Sequence, residues 1–186
     1  MTENFVLETQ RLRLRPLKRS DTSAIQKSAS VREISDTMIS IPHPYFAGEA
    51  ERYINRQLAE QAAGRSVAFA IEQKINEGFC GLIELRDIER EHSQGELSFW
   101  LAVEVWGRGY MSEVVQAIVQ YGFEVLGLNR LYAYHMVRNP ACGRVLEKNG
   151  FIQEGLLRQR VRKWGQFEDV MVRAILRQEW QIAQDK

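Results

Sequence analysis

The sequence has few of the residues that mark specialised classes of protein. Among its 186 residues there are 2 cysteines and 3 histidines, and the formal net charge is +1. The two cysteines, Cys80 and Cys142, cannot build a disulfide framework, which favours reduced thiols in a cytoplasm. A net charge so near zero supplies no overall field for nucleic acid or for an anionic membrane surface.

Segments that direct a chain to a membrane or hold a metal are also missing. No apolar run approaches the roughly 18 residues of a membrane-spanning helix, and the opening segment MTENFVLETQ lacks the basic and apolar regions of a signal peptide. None of the histidines, His43, His92 and His135, has metal-ligand spacing to a cysteine or a carboxylate. We therefore expect a cytoplasmic protein with no metal site and no direct binding to nucleic acid or membrane.

The residues that are present are typical of one mixed α/β domain spanning residues 1–186. Hydrophobic residues make up 45% of the chain, which is enough for a substantial core. Alternation and helical periodicity predict the elements in turn. The expected order is a strand at 6–17, a helix capped by Ser20 or Asp21 and starting near Thr22, a helix at 48–63, strands at 66–71 and 79–85, a charged loop at 86–94, a strand at 96–103, a helix at 111–126, a strand at 129–137, a helix from Pro140 to Asn149, two strands around 163–166 and a helix at 177–184.

One segment in the middle of the chain suggests a binding function. A strand leads into the glycine turn WGRGY, Trp106 to Tyr110, and a long helix opens near Met111. A helix that starts after such a turn presents free backbone N–H groups to an anion, and glycine lets phosphate oxygens approach the backbone closely. The turn therefore predicts a pyrophosphate site, although the turn alone does not say whether the ligand is a dinucleotide, a nucleotide or an acyl-CoA.

The motifs around this turn carry a family resemblance. In order they are GELSFWL, WGRGY, LGLNRLYAYHMVRN and RVLEKNGF, within a chain that runs from LETQRLRLRPL to VMVRAILRQEW. In these motifs the chain resembles the GNAT superfamily of acetyl-CoA-dependent N-acetyltransferases, and within it the RimJ/RimL type that acetylates protein N-termini. The resemblance implies an α/β GNAT fold, with a central, mixed, curved sheet, helices on both faces, and a V-shaped opening between the strands ending near Val103 and starting near Arg130.

The resemblance also implies which residues bind acetyl-CoA. The turn and the start of the helix would hold the pyrophosphate, and the strand before the turn would pair with the amides of the pantetheine arm. Asn139 stands where GNAT enzymes place an asparagine that bonds the same arm, and it would serve equally well as the N-cap of the helix beginning at Pro140. The implied cofactor-binding residues are Leu101, Ala102, Val103, Trp106, Gly107, Arg108, Gly109, Tyr110, Met111, Ser112 and Asn139.

The chain departs from the family pattern at the turn and at the position of the general acid. Trp106 replaces a frequent glutamine or arginine, and Met111 replaces a glycine or alanine, which leaves less room for phosphate. Cys142 stands where this branch usually has a serine, and Leu146 where many other GNAT enzymes have a tyrosine acid. A thiol with an unperturbed pKa of about 8.5 could protonate or polarise the departing sulfur. Cys142 could equally be a small buried helix residue.

A glutamate ahead of the turn is the candidate general base. Glu96 falls where several GNAT enzymes carry a glutamate that takes the proton from the attacking amine. Alternation puts it on one strand face with Ser98 and Trp100. The alternative for Glu96 is a solvated strand-end carboxylate. Glu84, on the neighbouring strand, is a second candidate, and its alternative is an ordinary edge charge.

Fewer signals bear on the acceptor. His43 lies between two prolines in a loop that borders the acceptor groove in this family, and it is either a substrate contact or a turn residue. His135 is expected to be structural, and Asp169 to fix the last hairpin. The penultimate strand carries a basic stretch, Arg158, Arg160, Arg162 and Lys163. This stretch is either a solvated face or a guide for an acidic acceptor or an RNA-covered target.

The resemblance implies an enzyme that transfers an acetyl group from acetyl-CoA directly to a primary amine, with a protein N-terminus as the expected acceptor. Two other functions fit the same cofactor-binding half. One is an acetyltransferase for a small amine such as an antibiotic, a polyamine or an amino acid, and the other is an acyl-CoA-binding sensor without catalytic activity. Residues 22–64 and 155–170 are expected to decide between them. A monomer or a homodimer is expected.

Overall fold

Eight strands and six helices make up residues 5–184, the part of the chain that the structure, a computed structural model, describes. The strands are β1 (Leu7–Glu8), β2 (Leu12–Pro16), β3 (Val67–Gln73), β4 (Phe79–Glu89), β5 (Gln94–Leu101), β6 (Arg130–Met136), β7 (Ile152–Lys163) and β8 (Gln166–Leu176). The helices are α1 (Thr22–Ala29), α2 (Arg32–Thr37), α3 (Glu49–Ala62), α4 (Tyr110–Glu124), α5 (Pro140–Lys148) and α6 (Arg177–Gln184).

The strands form one mixed sheet in the order β1-β2-β3-β4-β5-β6-β8-β7. Neighbouring strands are antiparallel except β5 and β6, which run parallel. Parallel strands need a crossover connection, and α4 supplies it between these two. The predicted mixed α/β sheet is confirmed, and its parallel pair lies beside the glycine turn.

Helices cover both faces of the sheet because side chains alternate along each strand. On β3, Phe69 and Ile71 belong to one hydrophobic cluster, whereas Ala68 and Ala70 belong to another. Helix α4 contributes to the first cluster four side chains that are at most 2% exposed, Val114, Val115, Ile118 and Val119. Helices α1 and α3 contribute to the second cluster Ile25, Ala50 and Ile54. The sheet therefore separates two hydrophobic cores, one on each of its faces.

The predicted first strand at 6–17 is wrong in one respect, since it is split into β1 and β2 by a turn. The two strands pair with each other in a hairpin, with Leu7 opposite Leu14. At the turn, the Glu113 carboxylate of α4 accepts hydrogen bonds from the Thr9 hydroxyl and, at 2.7 Å, from the Arg11 backbone N–H. Alternation of leucine and arginine cannot reveal this break, because the partner of the turn lies about 100 residues away.

The predicted charged loop at 86–94 is also wrong, because most of it is strand. β4 continues to Glu89, and β5 begins at Gln94. Arg86 lies opposite Glu96 in this pairing, so that a charge predicted to lie in a loop forms a cross-strand ion pair with the strand residue Glu96. The strand predicted at 96–103 correspondingly ends at Leu101, and Val103–Val105 is a short 3-10 turn.

The predicted cap of α1 is not formed by Asp21. The Asp21 carboxylate instead accepts two hydrogen bonds from the Arg15 guanidinium, at 2.7 and 2.9 Å, and one at 2.8 Å from the Lys18 backbone N–H. It is 5% exposed, so it joins β2 to the 3-10 turn that precedes the helix. The remaining predicted helices and strands are present, with ends that differ by a few residues.

Candidate active site

The two parallel strands diverge and open a cleft in the middle of the sheet. β5 and β6 pair only over Gln94–Glu96 and Arg130–Tyr132. Beyond this point β5 continues along β4 as far as Leu101, while β6 continues along β8 as far as Met136. A cavity of about 470 Å³ lies where they separate. We call it the first cavity, and residues 97–101, 106–112, 141–142 and 144–145 contribute to its lining.

The glycine turn closes one end of this cavity. Gly107 and Gly109 have φ angles of +74° and +76°, a region in which residues with a Cβ are strained. A Cβ built on Gly107 has no neighbour within 4 Å, so its outer surface is open. Gly109 is the N-cap of the 15-residue helix α4, whose first N–H groups have no intrahelical partner. An open backbone at a long helix start fits the phosphates of an acyl-CoA.

Arg11 contacts this turn, although in the sequence it falls only within the strand predicted at 6–17. Its guanidinium donates to the Arg108 carbonyl oxygen at 2.9 Å and to the Glu113 carboxylate at 2.8 Å, and it lies over the Tyr110 ring at 4.6 Å. Arg11 thus places a third guanidinium nitrogen, Nη2, 3.6 Å from the Cβ position of Gly109. The leucine–arginine alternation of the first strand gave no signal that this arginine differs from Arg13.

Two other side chains of the turn fold back onto the protein. The Trp106 indole N–H donates to the Leu101 carbonyl oxygen at 2.8 Å, and an Arg108 guanidinium nitrogen donates to the Glu104 carbonyl oxygen at 3.0 Å. Met111, which is 7% exposed, packs in the core beneath the turn. The turn is therefore stabilised by hydrogen bonds from its own side chains, and the Trp106 indole binds the last carbonyl of β5.

The edge of β5 that faces the cleft is shorter than predicted. The Ala102 N–H donates to the Cys80 carbonyl oxygen at 2.8 Å, so it points toward β4 and away from the cleft. Hydrogen-bonding direction alternates along an antiparallel strand, which turns the backbone of Phe99 and Leu101 toward the cleft instead. Val103 lies in the 3-10 turn, where its carbonyl accepts from the Trp106 N–H. The Ala102 N–H and the Val103 carbonyl are thus bonded within the protein, and the pairing of these two residues with an amide chain stays a prediction.

Asn139 is the N-cap of α5, which is one of its two expected roles. Its side-chain oxygen accepts from the Cys142 N–H at 3.2 Å. Its amide nitrogen donates to the Thr37 carbonyl oxygen at 3.2 Å, at the end of α2. Asn139 therefore joins the cofactor side of the cleft to the segment that follows α2, and it lines the first cavity.

The Cys142 thiol lines the same cavity and is held in its protonated form. Burial raises its pKa to about 12. A thiol in this state keeps its proton at neutral pH and can donate only a weak S–H hydrogen bond. The premise that Cys142 keeps the ordinary thiol pKa is wrong, since desolvation removes the advantage expected of a cysteine acid.

Two glutamates and one arginine form a buried polar cluster beside the cleft. Glu84 and Glu96 are 6% and 8% exposed, and the Arg86 guanidinium contacts both carboxylates, Glu84 at 3.3 Å. The Tyr53 hydroxyl donates to Glu84 at 2.8 Å, and burial raises the pKa of the Glu84 carboxyl. Glu96 is therefore not a solvated strand-end carboxylate, and Glu84 is not an ordinary exposed edge charge. Glu96 lines the first cavity, and Arg86 reaches both cavities.

A second cavity, of about 210 Å³, lies on the helix α1 and α3 side of the same strand. The two cavities share a wall formed by residues 98–100 of β5, together with Met38, Ser40 and Arg86. Glu84, Tyr53 and Tyr45 line the second cavity alone. A group bound in one cavity can therefore approach a group bound in the other across the wall at Ser98 to Trp100.

The hairpin tip of β7 and β8 holds the loop that borders the second cavity. Lys163 is 7% exposed, and its ammonium donates to the carbonyl oxygens of Met38 at 2.9 Å and Ile41 at 2.6 Å. The Trp164 ring contacts His43 edge-on, with centroids 6.3 Å apart. Lys163 is therefore not part of a solvated basic face, whereas its neighbours Arg158, Arg160 and Arg162 are exposed.

Two further predicted residues have structural contacts. Asp169 accepts a hydrogen bond at 2.7 Å from the Gln159 N–H, across the last hairpin as expected, although it lies within β8 and does not begin it. The His135 imidazole is 7% exposed and packs against Gly143 of α5. Its Nδ1 lies 3.0 Å from the Met136 carbonyl oxygen, and burial lowers its pKa. Both residues support the elements around the cleft.

Over residues 5–184, no group of three His, Cys, Asp or Glu side chains is placed to hold a metal ion. Within the same range, each helix is too short or too polar to cross a membrane.

Comparison with known proteins identifies relatives with the same arrangement. Residues 11–152 match the family model described as acetyltransferase (GNAT) domain. The chain is similar to the uncharacterized N-acetyltransferase YoaA of Bacillus subtilis, with 32% identity over 92% of this chain and 97% of that protein. It is also similar to the crystal structure of spermidine N-acetyltransferase from Vibrio cholerae in complex with CoA and spermine, at 27% identity and a TM-score of 0.82, covering 92% of this chain and 98% of that one. The RimL ribosomal L7/L12 alpha-N-protein acetyltransferase, in complex with coenzyme A, shares the fold at 19% identity and a TM-score of 0.86, covering 92% and 98% of the two chains.

Proposed function

The chain belongs to the GNAT acetyltransferase family and is an N-acetyltransferase that uses acetyl-CoA, and from this premise we propose that its acceptor is a protein N-terminal amine. The observation that carries the proposal is the surface beyond the second cavity. Phe46 and Trp164 are 64% and 42% exposed, beside Tyr45 and Lys163 respectively. Exposed aromatic side chains of this kind suit contact with a longer chain, whereas a small amine would leave them uncovered.

The first cavity holds acetyl-CoA, which supplies the activated acetyl thioester. Backbone N–H groups of Gly109 and the first turn of α4 bind the pyrophosphate, and Arg11 and Arg108 add positive charge beside it. The open edge of β5 at Phe99 and Leu101 pairs with the amides of the pantetheine arm. Backbone N–H groups at this edge also stabilise negative charge as it develops on the acetyl oxygen. Asn139 serves the site by fixing the start of α5.

The amine binds in the second cavity and reaches the acetyl group across the shared wall of β5. It must lose its proton to attack, and Glu96 is the proposed base, acting through water along the face it shares with Ser98. Arg86 orients the Glu96 carboxylate. Glu84 is the second candidate, because burial raises its pKa toward the range that suits a base and because it lines the cavity of the amine.

Cys142 acts on the leaving sulfur as a hydrogen-bond donor. Because its pKa is raised to about 12, the thiol keeps its proton at neutral pH and can donate an S–H hydrogen bond to a thiolate that forms in the first cavity. Complete transfer of that proton is not required for polarisation. This role is the proposed replacement for the serine and tyrosine acids that the family places here and at Leu146.

A turnover assay over a mixed acceptor panel tests the proposal. The panel contains peptides with free N-termini, the same peptides with acetylated N-termini, spermidine, free amino acids and an aminoglycoside, each with acetyl-CoA. We expect turnover of the free peptides and none of their blocked forms. Preferential turnover of spermidine or of a small amine would contradict the proposal and support the small-amine function. Tight CoA binding without turnover of any amine would support the sensor function.

A further inference from the structure

The charges that line the second cavity are unbalanced in favour of cations. Two carboxylates, Glu49 and Glu84, face three guanidinium groups, Arg52, Arg56 and Arg86. Glu49 is 2.7 Å from Arg52, and Glu84 is engaged by Tyr53 and Arg86. Both carboxylates of the cavity are thus already paired with groups of the protein itself.

Arg56 is the cation left over from this pairing. Its guanidinium lies 5.7 Å from the Tyr53 ring centroid, on the exposed side of α3. Among the ion pairs that residues 5–184 form, each of the other two guanidiniums of the cavity has a carboxylate, and none includes Arg56. Arg56 therefore lines the cavity with a guanidinium that forms no ion pair within residues 5–184, although its charge acts at longer range on Glu84.

The hairpin tip beside the second cavity, which we call its rim, is also positively charged. The Arg32 guanidinium lies 4.9 Å from the Trp164 ring at the hairpin tip, and Lys163 is buried directly beside it. Three exposed arginines follow along β7 toward the same tip, Arg158, Arg160 and Arg162. The chain as a whole carries a net charge of +1, so this concentration of cations on one approach to the cavity is local.

We infer that the acceptor is a primary amine with a carboxylate close to it, namely a peptide N-terminus followed by an acidic side chain, and that Arg56 is the specificity-determining residue that binds the carboxylate. The inference rests on the proposed function and names its substrate class. An acidic group next to the amine forms a charge-assisted hydrogen bond with the free guanidinium. A polycation such as spermidine meets like charges at the rim and finds both cavity carboxylates occupied.

Matched acceptors and matched variants test the inference. The peptides Ser-Asp-Ala-Ala, Ser-Ala-Ala-Ala and Ser-Lys-Ala-Ala differ only in the charge beside the N-terminal residue, and spermidine and free aspartate complete the panel. The enzyme variants are Arg56→Gln and Arg56→Glu. The control is Arg65→Gln, an exposed arginine paired with Glu60 that lines neither cavity. The readouts are kcat/KM with acetyl-CoA and acceptor affinity for the CoA-loaded protein by calorimetry.

We expect the wild-type protein and Arg65→Gln to prefer the aspartate peptide over the lysine peptide by about tenfold in kcat/KM. The preference should fall to near unity in Arg56→Gln, reverse in Arg56→Glu, and weaken as salt is raised. The same order in calorimetry supports the inference even where turnover is slow. Free aspartate matching the aspartate peptide would contradict the peptide acceptor, and with it both the inference and the proposed function. Equal use of the three peptides, or an acidic preference unchanged in Arg56→Gln, would overturn the inference and leave the proposed function standing, whereas preference for spermidine would overturn both.

Discussion

The two cavities on either side of β5 differ in how the chain builds them. The first contains one continuous stretch, since the end of β5, the glycine turn and the start of α4 follow one another from 97 to 112, and residues of α2, the loop after it, β6 and α5 also contribute to its lining. The second is assembled from segments far apart in sequence: α1, the loop after α2, α3, β4 and β5. Its border is fixed by Lys163, more than 120 residues from the Met38 carbonyl oxygen that it binds. The anion site at the glycine turn is therefore a local property of the chain, whereas the second cavity is a property of its tertiary structure.

This contrast predicts, for each substitution, whether it affects acetyl-CoA binding or acceptor preference. A change in the turn should weaken acetyl-CoA binding and leave acceptor preference as it was. A change at Arg56, or in the loop held by Lys163, should do the reverse. Substitutions on the shared wall should lower turnover and have little effect on the binding of acetyl-CoA or of the amine.

The largest effect is expected from Glu96→Gln. Removing a general base lowers turnover by roughly 10²- to 10³-fold, while the affinity for acetyl-CoA should change by less than about twofold. Steady-state kinetics and calorimetry on the same preparation separate the two. Glu84→Gln is the matched comparison, because both side chains contact Arg86.

The pH dependence then decides between the two glutamates. Since burial raises the pKa of Glu84, a reaction that uses it as base would lose rate as pH falls through that raised value, at higher pH than for an ordinary glutamate. If Glu84→Gln abolishes this limb and Glu96→Gln keeps the parent pH–rate profile, Glu84 is the base and the assignment to Glu96 is wrong.

The next largest effect is expected from Gly109→Val. A β-branched side chain is strained at a φ of +76° and crowds the approach of phosphate, so acetyl-CoA affinity should fall about 100-fold, or about 2.7 kcal/mol. Gly127→Val is the control, because Gly127 has a φ of +70° in open space after α4. Both variants should lose stability, but affinity measured by calorimetry should drop only in Gly109→Val. An equal drop in acetyl-CoA affinity in both variants would contradict phosphate binding by the glycine turn.

A smaller effect is expected from Arg11→Gln. Loss of the guanidinium removes positive charge beside the turn and one bond to the Arg108 carbonyl, so KM for acetyl-CoA should rise about tenfold with kcat nearly unchanged. Arg13→Gln is a close match, since both arginines are about equally exposed and each is paired with a glutamate. Equal KM values for the two variants would contradict a role of Arg11 in binding acetyl-CoA.

The smallest effect is expected from Cys142→Ser. A hydroxyl can donate the same hydrogen bond as the protonated thiol, so kcat should change by less than about threefold, whereas Cys142→Ala should lower it about tenfold. With a pKa of about 12, roughly one Cys142 thiol in ten thousand is ionised at pH 8, and alkylation of the native protein by iodoacetamide should be correspondingly slow. Rapid alkylation of Cys142, followed by mass spectrometry, would contradict the protonated thiol.

The sequence is informative where a local pattern has one physical solution. Gly107 and Gly109 mark a turn that only glycine adopts without strain, and the apolar period after them marks α4, so the anion site could be predicted from consecutive residues. Asn139 before Pro140 likewise predicts the N-cap that the structure shows.

The sequence is uninformative where a residue's role depends on a distant partner. Arg11 and Arg13 occupy equivalent positions in the same alternating pattern, and only the fold brings Glu113 and the glycine turn to Arg11. Lys163 ends a basic run but is buried against the loop after α2. Arg86 falls in a predicted loop, and only the cross-strand pairing with Glu96 shows that it belongs to a strand. The acceptor side is made of such contacts, which is why its chemistry emerges only from the folded chain.

Hydrogen–deuterium exchange with and without coenzyme A tests the division between the two cavities most directly. The account predicts slowed exchange over 97–101 and 106–113 on addition of saturating coenzyme A, with α3 and the hairpin tip at 163–166 unchanged. Slowed exchange confined to α3 and the hairpin tip, with the glycine turn unaffected, would contradict it.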